Sequence, residues 1–297
     1  MNPIDRKPLK ERAKELIRTA QPPAWQVTLI FLLATTWVST VVDLFNPVTR
    51  AIQEWYQTVY PAAVSGDLGV VYSAQAAFGR LLTSSTGYVS MLLSVIISLY
   101  ITVVDYGYNS YSLGVVRLQN PDQSELFSRF YMAGKIILAE ILQVVFATLW
   151  ALPAALIGGI LAGITDSIVL FTLIGTIAGT VLCLMAIYRY RMIVYALLDD
   201  PEISVLEAFR RSKALMKGRK WELFVLDLSF LGWIILAGAV SNLVGGILPG
   251  VVGTLAGTAV ATACYCFLQP YQSFTYAQWY EAIRPQAEAQ PEEAAPF

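Results

Sequence analysis

Six stretches of mainly apolar residues run along the chain, at roughly 24–45, 87–110, 135–157, 166–188, 222–244 and 250–270, separated by polar or basic segments. A helix crossing a hydrocarbon core of about 30 Å needs about 20 such residues. The pattern therefore predicts an all-α fold: a polytopic membrane helix bundle of six transmembrane helices. The third and fourth stretches are separated only by Gly163 to Asp166, and the fifth and sixth by Gly245 to Gly250, so both pairs read as tight hairpins. The run from Ala24 to Leu44 is too long for a signal-peptide core, and no small-x-small site follows it, so it reads as a retained helix.

Basic residues resist translocation, and their distribution orients the bundle. The N-terminal arm, the second loop, the fourth loop and the segment after the sixth helix together hold 18 of the 20 lysines and arginines, leaving Arg50 and Arg80 for the other side. Both termini are therefore expected in the cytoplasm. The organisation expected is a basic amphipathic cytoplasmic arm over 1–23, a transmembrane domain over 24–280 and a cytoplasmic tail over 281–297. That tail is rich in Ala, Glu and Pro, has little to bury and is expected to be disordered. The one sizeable outer segment, from about Asn46 to Gly87, carries Trp55, Tyr56, Tyr60 and Tyr72, which suit the headgroup level or a small cap.

Composition agrees with the pattern: 56% of residues are apolar and 14% charged, where a soluble domain has about a quarter charged. The formal net charge of −1 hides the segregation of charge and says nothing about partners. The absence of histidine removes the usual proton shuttle and most zinc or haem ligation. Cys183, Cys264 and Cys266 lie in apolar runs without redox or metal spacing and read as packing residues. No Walker loop, dinucleotide fingerprint, HExxH helix or GxSxG elbow is present, and no nucleophile and base pair stands out. Neither an enzyme activity nor a cofactor or metal is expected.

The second and fourth loops resemble each other. Asn120-Pro121-Asp122-Gln123-Ser124-Glu125-Leu126 aligns with Asp200-Pro201-Glu202-Ile203-Ser204-Val205-Leu206, each after a tyrosine-bearing helix end and before a Gly-basic pair, Gly134-Lys135 or Gly218-Arg219. This reads as a parallel internal repeat, twofold on the loop match. It becomes threefold if the N-terminal arm, with its stripe Leu9, Ala13, Leu16 and Ile17, begins a first unit. Ser204 and Glu207 form a capping-box pattern. The segment after them is amphipathic, with apolar Val205, Leu206, Phe209, Leu215 and Met216. Beside these stand Arg210, Arg211, Lys213, Lys217, Arg219 and Lys220, the basic residues expected at the lipid surface. The partners expected are the bilayer and anionic inner-leaflet lipids rather than nucleic acid, with room for a membrane protein partner.

Further likeness lies in the fourth loop and the helix after it: Leu197-Leu198-Asp199-Asp200-Pro201-Glu202-Ile203-Ser204, Ala208-Phe209-Arg210-Arg211-Ser212, Met216-Lys217-Gly218 and Phe224-Val225-Leu226-Asp227-Leu228-Ser229-Phe230-Leu231-Gly232-Trp233, then Pro270-Tyr271 with Phe274, Tyr276 and Tyr280. The chain resembles, over most of its length, the bacterial integral-membrane family known only as domain of unknown function nine-seventy-five. The resemblance implies a multi-helix protein of a bacterial cytoplasmic membrane and carries no activity with it.

Charged groups inside a membrane helix are costly, about 2.5–3.5 kcal/mol at the centre on insertion scales. Asp105, Glu140 and Asp227 are such groups, and each falls in the cytoplasmic third of its helix, level with Arg189 and Arg191. The five form a candidate intramembrane polar cluster. Pairing with the arginines, or snorkelling to the inner headgroups, would make it a helix lock; the functional alternative is a proton- or cation-linked path, or a polar vestibule for a substrate headgroup, with Glu140 and Asp227 foremost. The small-residue pairs Gly159 with Gly163, Gly175 with Gly179 and Gly253 with Gly257 read as helix contacts. The aromatics Tyr265, Tyr271, Phe274, Tyr276, Trp279 and Tyr280 read as an interfacial belt. The first expectation for function is a non-catalytic accessory or scaffold protein; the alternative is a small-molecule or lipid transporter using the carboxylate and arginine cluster. A polar cavity that joins Asp105, Glu140, Asp227 and Arg189 and reaches the bilayer centre discriminates between them, whereas a sealed, fully paired cluster favours the scaffold.

Overall fold

The computed structural model describes residues 4–165 and 168–288. Its helices are α1 (Arg6–Thr19), α2 (Ala24–Leu32), α3 (Val38–Phe45), α4 (Pro47–Ser65), α5 (Leu68–Leu82), α6 (Ser85–Val116), α7 (Glu125–Ser128), α8 (Ala133–Ile164), α9 (Ile168–Tyr190), α10 (Ile193–Asp199), α11 (Val205–Leu215), α12 (Lys220–Ile247) and α13 (Gly250–Glu288). A π-helical turn, Leu33–Trp37, joins α2 to α3, and a 3-10 turn, Arg129–Met132, precedes α8. No strand occurs among the described residues.

Six helical spans are long and apolar enough to cross a membrane: Ala24–Phe45, Ser85–Val116, Glu125–Ile164, Leu173–Asp199, Lys220–Ile247 and Gly250–Arg284. The protein is thus a multi-pass membrane-type helical bundle. The spans alternate in direction, so one end collects α1, α7, α10, α11 and the last turns of α13. This is the basic end; the opposite end carries α4 and α5.

The two ends are built differently. Toward the far end the helices leave Leu152, Ile157, Ile177 and Ile235 exposed, which suits hydrocarbon. At the basic end the helices run on beyond the apolar windows and enclose a true core. There Tyr108, Tyr111, Phe274 and Trp279 are buried between α1, α2, α6 and α13, while Ile136, Ile193, Leu197 and Phe209 are buried between α8, α10 and α11. A fully buried side chain of this size contributes about 1.5–3 kcal/mol. Gly107 belongs to this construction, because a Cβ there would collide with the Leu126 carbonyl of α7.

Several expectations shift in this light. The segment 46–87 is two helices, α4 and α5, and Asn46 starts the first by accepting from the Val48 N–H at 2.9 Å while its amide donates to Ser94 of α6 at 3.1 Å. The sixth helix does not stop near 270 but continues to Glu288, because Phe274, Trp279 and Tyr280 give it an apolar face to bury. These three are therefore core residues rather than an aromatic belt. Residues 281–288 of the expected tail are helical, and its remainder, 289–297, lies outside the described residues, as does Asp166 of the first hairpin turn.

The glycine contacts are also more selective than motif spacing implies. A Cβ on Gly158 would lie 2.7 Å from the Gly175 Cα, so α8 and α9 touch through Gly158 and Gly175, whereas nothing lies within 4 Å of a Cβ on Gly159 or Gly163. A Cβ on Gly253 would collide with the Leu248 and Gly245 carbonyls, and one on Gly257 would sit 3.0 Å from the Ser241 carbonyl. The α12–α13 hairpin closes there.

Candidate functional site

The helices that meet just inside the basic end enclose a cavity of about 580 Å³. Asp105 reaches it from α6, Glu140 from α8 and Asp227 from α12; Arg191, from the turn between α9 and α10, completes the charged lining. Four of the five residues of the candidate cluster therefore converge. Arg189 does not line the cavity: its guanidinium lies 5.5 Å from the Trp150 ring centre, on another side of the helix end. Helix α9 ends at Tyr190, so Arg189 sits on its last turn and Arg191 in the turn that follows, and the two guanidiniums face different walls.

The three carboxylates have different surroundings. Asp227 is clamped: Tyr188 of α9 donates to one of its oxygens at 2.6 Å, and Tyr276 of α13 to the other at 2.6 Å. Among the described residues Asp105 has one side-chain donor, the Asn109 amide, which reaches its carboxylate at 3.1 Å and its backbone carbonyl at 2.8 Å. Glu140 has no hydrogen bond or ion pair with a described residue and faces the cavity open. None of the three is ion-paired among the described residues. Arg191 instead lies over the Tyr276 ring, 5.3 Å from its centre.

The Arg191 turn is fixed from behind. Helix α9 ends at Tyr190, and the buried Ser212 of α11 spans the break, accepting from the Met192 N–H at 3.2 Å and donating to the Arg189 carbonyl at 3.1 Å. Helix α11 is held in place by its apolar face, where Phe209 packs edge-on against Phe146 at 5.2 Å. Its start is capped by Ser204, which accepts from the Glu207 N–H at 3.2 Å. The Glu207 side chain does not complete a capping box; it pairs with Arg210 at 3.3 Å.

This packing turns the apolar stripe of α11 into the protein, leaving Leu206 exposed beside Arg210, Arg211, Lys213 and Lys217. Lys220 is half-buried. Arg219 departs from the expected lipid-surface set. It is only 2% exposed, because the turn through Gly218, at φ +75°, folds it under the bundle toward Glu222. The matching residues of the second loop differ in form, since Ser124 makes no side-chain cap and α7 has four residues where α11 has eleven. The two loops do touch, as Lys135 donates to the Pro201 carbonyl at 2.5 Å.

Below the cavity lies a second polar group. Asp199 accepts from Arg117 at 2.5 Å and from the Tyr280 hydroxyl, also at 2.5 Å, with Arg284 at 3.4 Å. Arg117 further binds Glu281 at 2.5 Å. These fasten the ends of α6, α10 and α13. Helix α1 docks nearby: Lys10 donates to Ser229 of α12 at 2.5 Å and lies 4.4 Å from the Phe230 ring centre.

Sequence reasoning missed the tyrosine and amide side of the cavity. Gln269, Gln272 and Tyr276 recur at helical spacing along α13 and all line it, a polar stripe that could have marked the wall. Neither the curated proteins nor the solved structures contain a match to this chain. A family model described as a protein of unknown function, DUF975, matches residues 1–287, and the chain, a helical bundle with six potential membrane spans around a polar cavity, belongs to that family.

Proposed function

We propose that this protein is a non-catalytic, solute-binding membrane protein of the carrier class, and that the central cavity holds its solute. One observation carries the reading: the cavity joins Asp105, Glu140 and Asp227, and none of these carboxylates is ion-paired with a described residue. A helix lock would neutralise such groups, because an uncompensated charge among membrane helices is costly. An open space of about 580 Å³ with a few convergent polar groups is instead the size and character of a small-molecule site. The cavity favours this reading over the scaffold.

The setting proposed is a bacterial cytoplasmic membrane with both termini inside, supported by the 18 basic residues on one side. Helices α1 and α11 then lie along the inner leaflet. The exposed Arg210, Arg211, Lys213 and Lys217 attract anionic headgroups by charge, with little insertion, since the apolar face of α11 is spent on the protein. The matching loops support a parallel repeat of helix pairs, each led by a helix at this surface.

Purification in native lipid, with mass analysis of what copurifies, tests the proposal. A small molecule retained by the wild type and absent from an equally folded Glu140→Gln/Asp227→Asn variant is the expected result. A stoichiometric protein partner, with no small molecule dependent on those carboxylates, would instead establish the scaffold.

A further inference from the structure

We infer that the solute is an organic cation, an amine, alkylammonium or guanidinium compound, and that Arg191 is a tethered cation occupying its subsite in the empty protein. The inference rests on the cavity reading above and deepens it. Three carboxylates face one guanidinium across the cavity, so its formal charge is negative and an anion would be repelled. The guanidinium makes no salt bridge with a described carboxylate, although its charge reaches Asp105. It rests on the face of Tyr276, 5.3 Å from the ring centre, within the range at which an aromatic quadrupole attracts a cation. Tyr276 is itself aligned by its hydrogen bond to Asp227, so ring face and negative charge belong to one unit.

The remaining groups suit the same ligand. Glu140 is the open acceptor, and Tyr106, Tyr190 and Phe224 supply further aromatic lining. Among the described residues no three acidic, cysteine or histidine side chains gather as closely as a metal ion requires, and the space is far larger than a bare ion. Because Ser212 fixes the backbone at Met192 and Arg189, the Arg191 side chain can leave its ring without disturbing the turn. An incoming cation takes its place on Tyr276, with Asp227, which holds that ring, and Asp105, which already feels the Arg191 charge, as counter-charges.

The consequence is a sign. If Arg191 competes with the ligand, removing it tightens binding; if Arg191 binds the ligand, removing it abolishes binding. Full-length protein in lipid nanodiscs would be titrated with choline and agmatine, with 3,3-dimethylbutan-1-ol as the neutral isostere of choline, and with inorganic phosphate. We expect saturable binding of at least one cation, tightened about tenfold or more by Arg191→Gln and weakened at least tenfold by Asp105→Asn, with the neutral isostere and phosphate bound far more weakly. Equal binding of choline and its isostere overturns the inference. So does phosphate binding that Arg191→Gln abolishes, or no cation binding even in Arg191→Gln. A Gln143→Cys variant in a background lacking the three native cysteines separates these failures from failure of the parent reading. Reaction of its new thiol with a polar maleimide, without cation binding, leaves the cavity reading standing and sinks the organic cation. A Gln143→Cys protein that is folded but unreactive sinks both.

Discussion

The hydroxyl of Ser212 in α11 accepts a 3.2 Å hydrogen bond from the backbone N–H of Met192 and returns its proton to the Arg189 carbonyl at 3.1 Å. One buried oxygen thus satisfies both sides of the break that presents Arg191. Ser212→Ala leaves a buried donor and acceptor unmet, at about 1–3 kcal/mol for the site. The expected outcome is a lowered thermal midpoint in detergent, with faster amide exchange confined to residues near 189–193. Ser212→Cys, which retains a weak donor and acceptor, should lose less. Exchange unchanged at the break in Ser212→Ala would show that the serine does not hold it.

Asp199 gathers Arg117, Tyr280 and Arg284 while keeping only 11% of its side chain exposed. Burial works against the Arg117 charge, but its hydrogen bonds to Asp199 and Glu281 outweigh burial and raise its pKa. A base whose folded pKa is raised contributes stability that is complete below its unfolded value and is lost only as pH rises through the folded one. For an arginine that window lies above any pH used for a folded protein, so this contribution is flat across neutral and mildly alkaline conditions. Removing the Asp199 carboxylate leaves Arg117 with Glu281 alone and takes away the acceptor of the Tyr280 hydroxyl. Because Arg117 keeps Glu281 and is 26% exposed, the loss expected for Asp199→Ala is that of unmet hydrogen-bonding groups, about 1–3 kcal/mol. Thermal unfolding of Asp199→Ala, Arg117→Ala and the double variant should show strong non-additivity; additive losses would mean that the pair is not coupled.

Lys10 on α1 gives a pH dependence of opposite origin. Burial against α12, then the nearby charges of Arg6 and Lys14, lower its pKa from the ordinary 10.5. A base with a lowered folded pKa carries its penalty fully below that pKa, and the unfolded state binds more protons in the window up to 10.5. Docking of α1 should therefore strengthen as pH rises through that window. Limited proteolysis at Arg18 should slow as pH rises toward 10.5 in the wild type, after correction for protease activity, and show no such trend in Lys10→Met.

The spans were legible because hydrocarbon leaves the backbone one local solution, the helix, so apolar length alone marks it. Helices α4 and α5 were not, since their residues are of mixed polarity and α4 carries Pro61 within it. The same limit governs the cavity. Asp105, Glu140 and Asp227 stood out because charge is rare in apolar runs, but tyrosine is common at helix ends, and residue type alone does not separate Tyr276, which holds Asp227, from Trp279, which is core. Arg189 and Arg191 share composition and depth and differ in azimuth, which depends on where α9 breaks.

The glycine contacts give a paired test of packing. At Gly158 the obstructions to a Cβ are backbone atoms, the Gly175 Cα at 2.7 Å and the Phe171 carbonyl at 3.0 Å, which cannot swing aside. Gly158→Ala must push α8 and α9 apart, and Gly159→Ala meets nothing within 4 Å. Overpacking costs about 1–3 kcal/mol, whereas alanine at an open helical position gains up to about 1 kcal/mol in propensity. The two neighbours should therefore move the thermal midpoint in opposite directions. A loss of stability in both would place the contact elsewhere.

The clamp on Asp227 can be tested through the difference between removing partners and removing the need for them. Tyr188→Phe and Tyr276→Phe each strip one donor from the carboxylate, and the double substitution leaves it without either hydroxyl. An unmet buried acceptor costs about 1–3 kcal/mol, more when charged, while replacing all partners by apolar groups of similar shape is close to neutral. Asp227→Leu alone strands two hydroxyls and should destabilise; in the Tyr188→Phe/Tyr276→Phe background it should recover most of the lost stability. Midpoints for the wild type, the tyrosine double variant, Asp227→Leu and the triple variant, measured without added solute, provide the cycle. Recovery in the triple variant together with complete loss of cation binding would separate the carboxylate's cost to folding from its use in the cavity. A triple variant no more stable than the tyrosine double would mean that Asp227 is held by something other than these two hydroxyls.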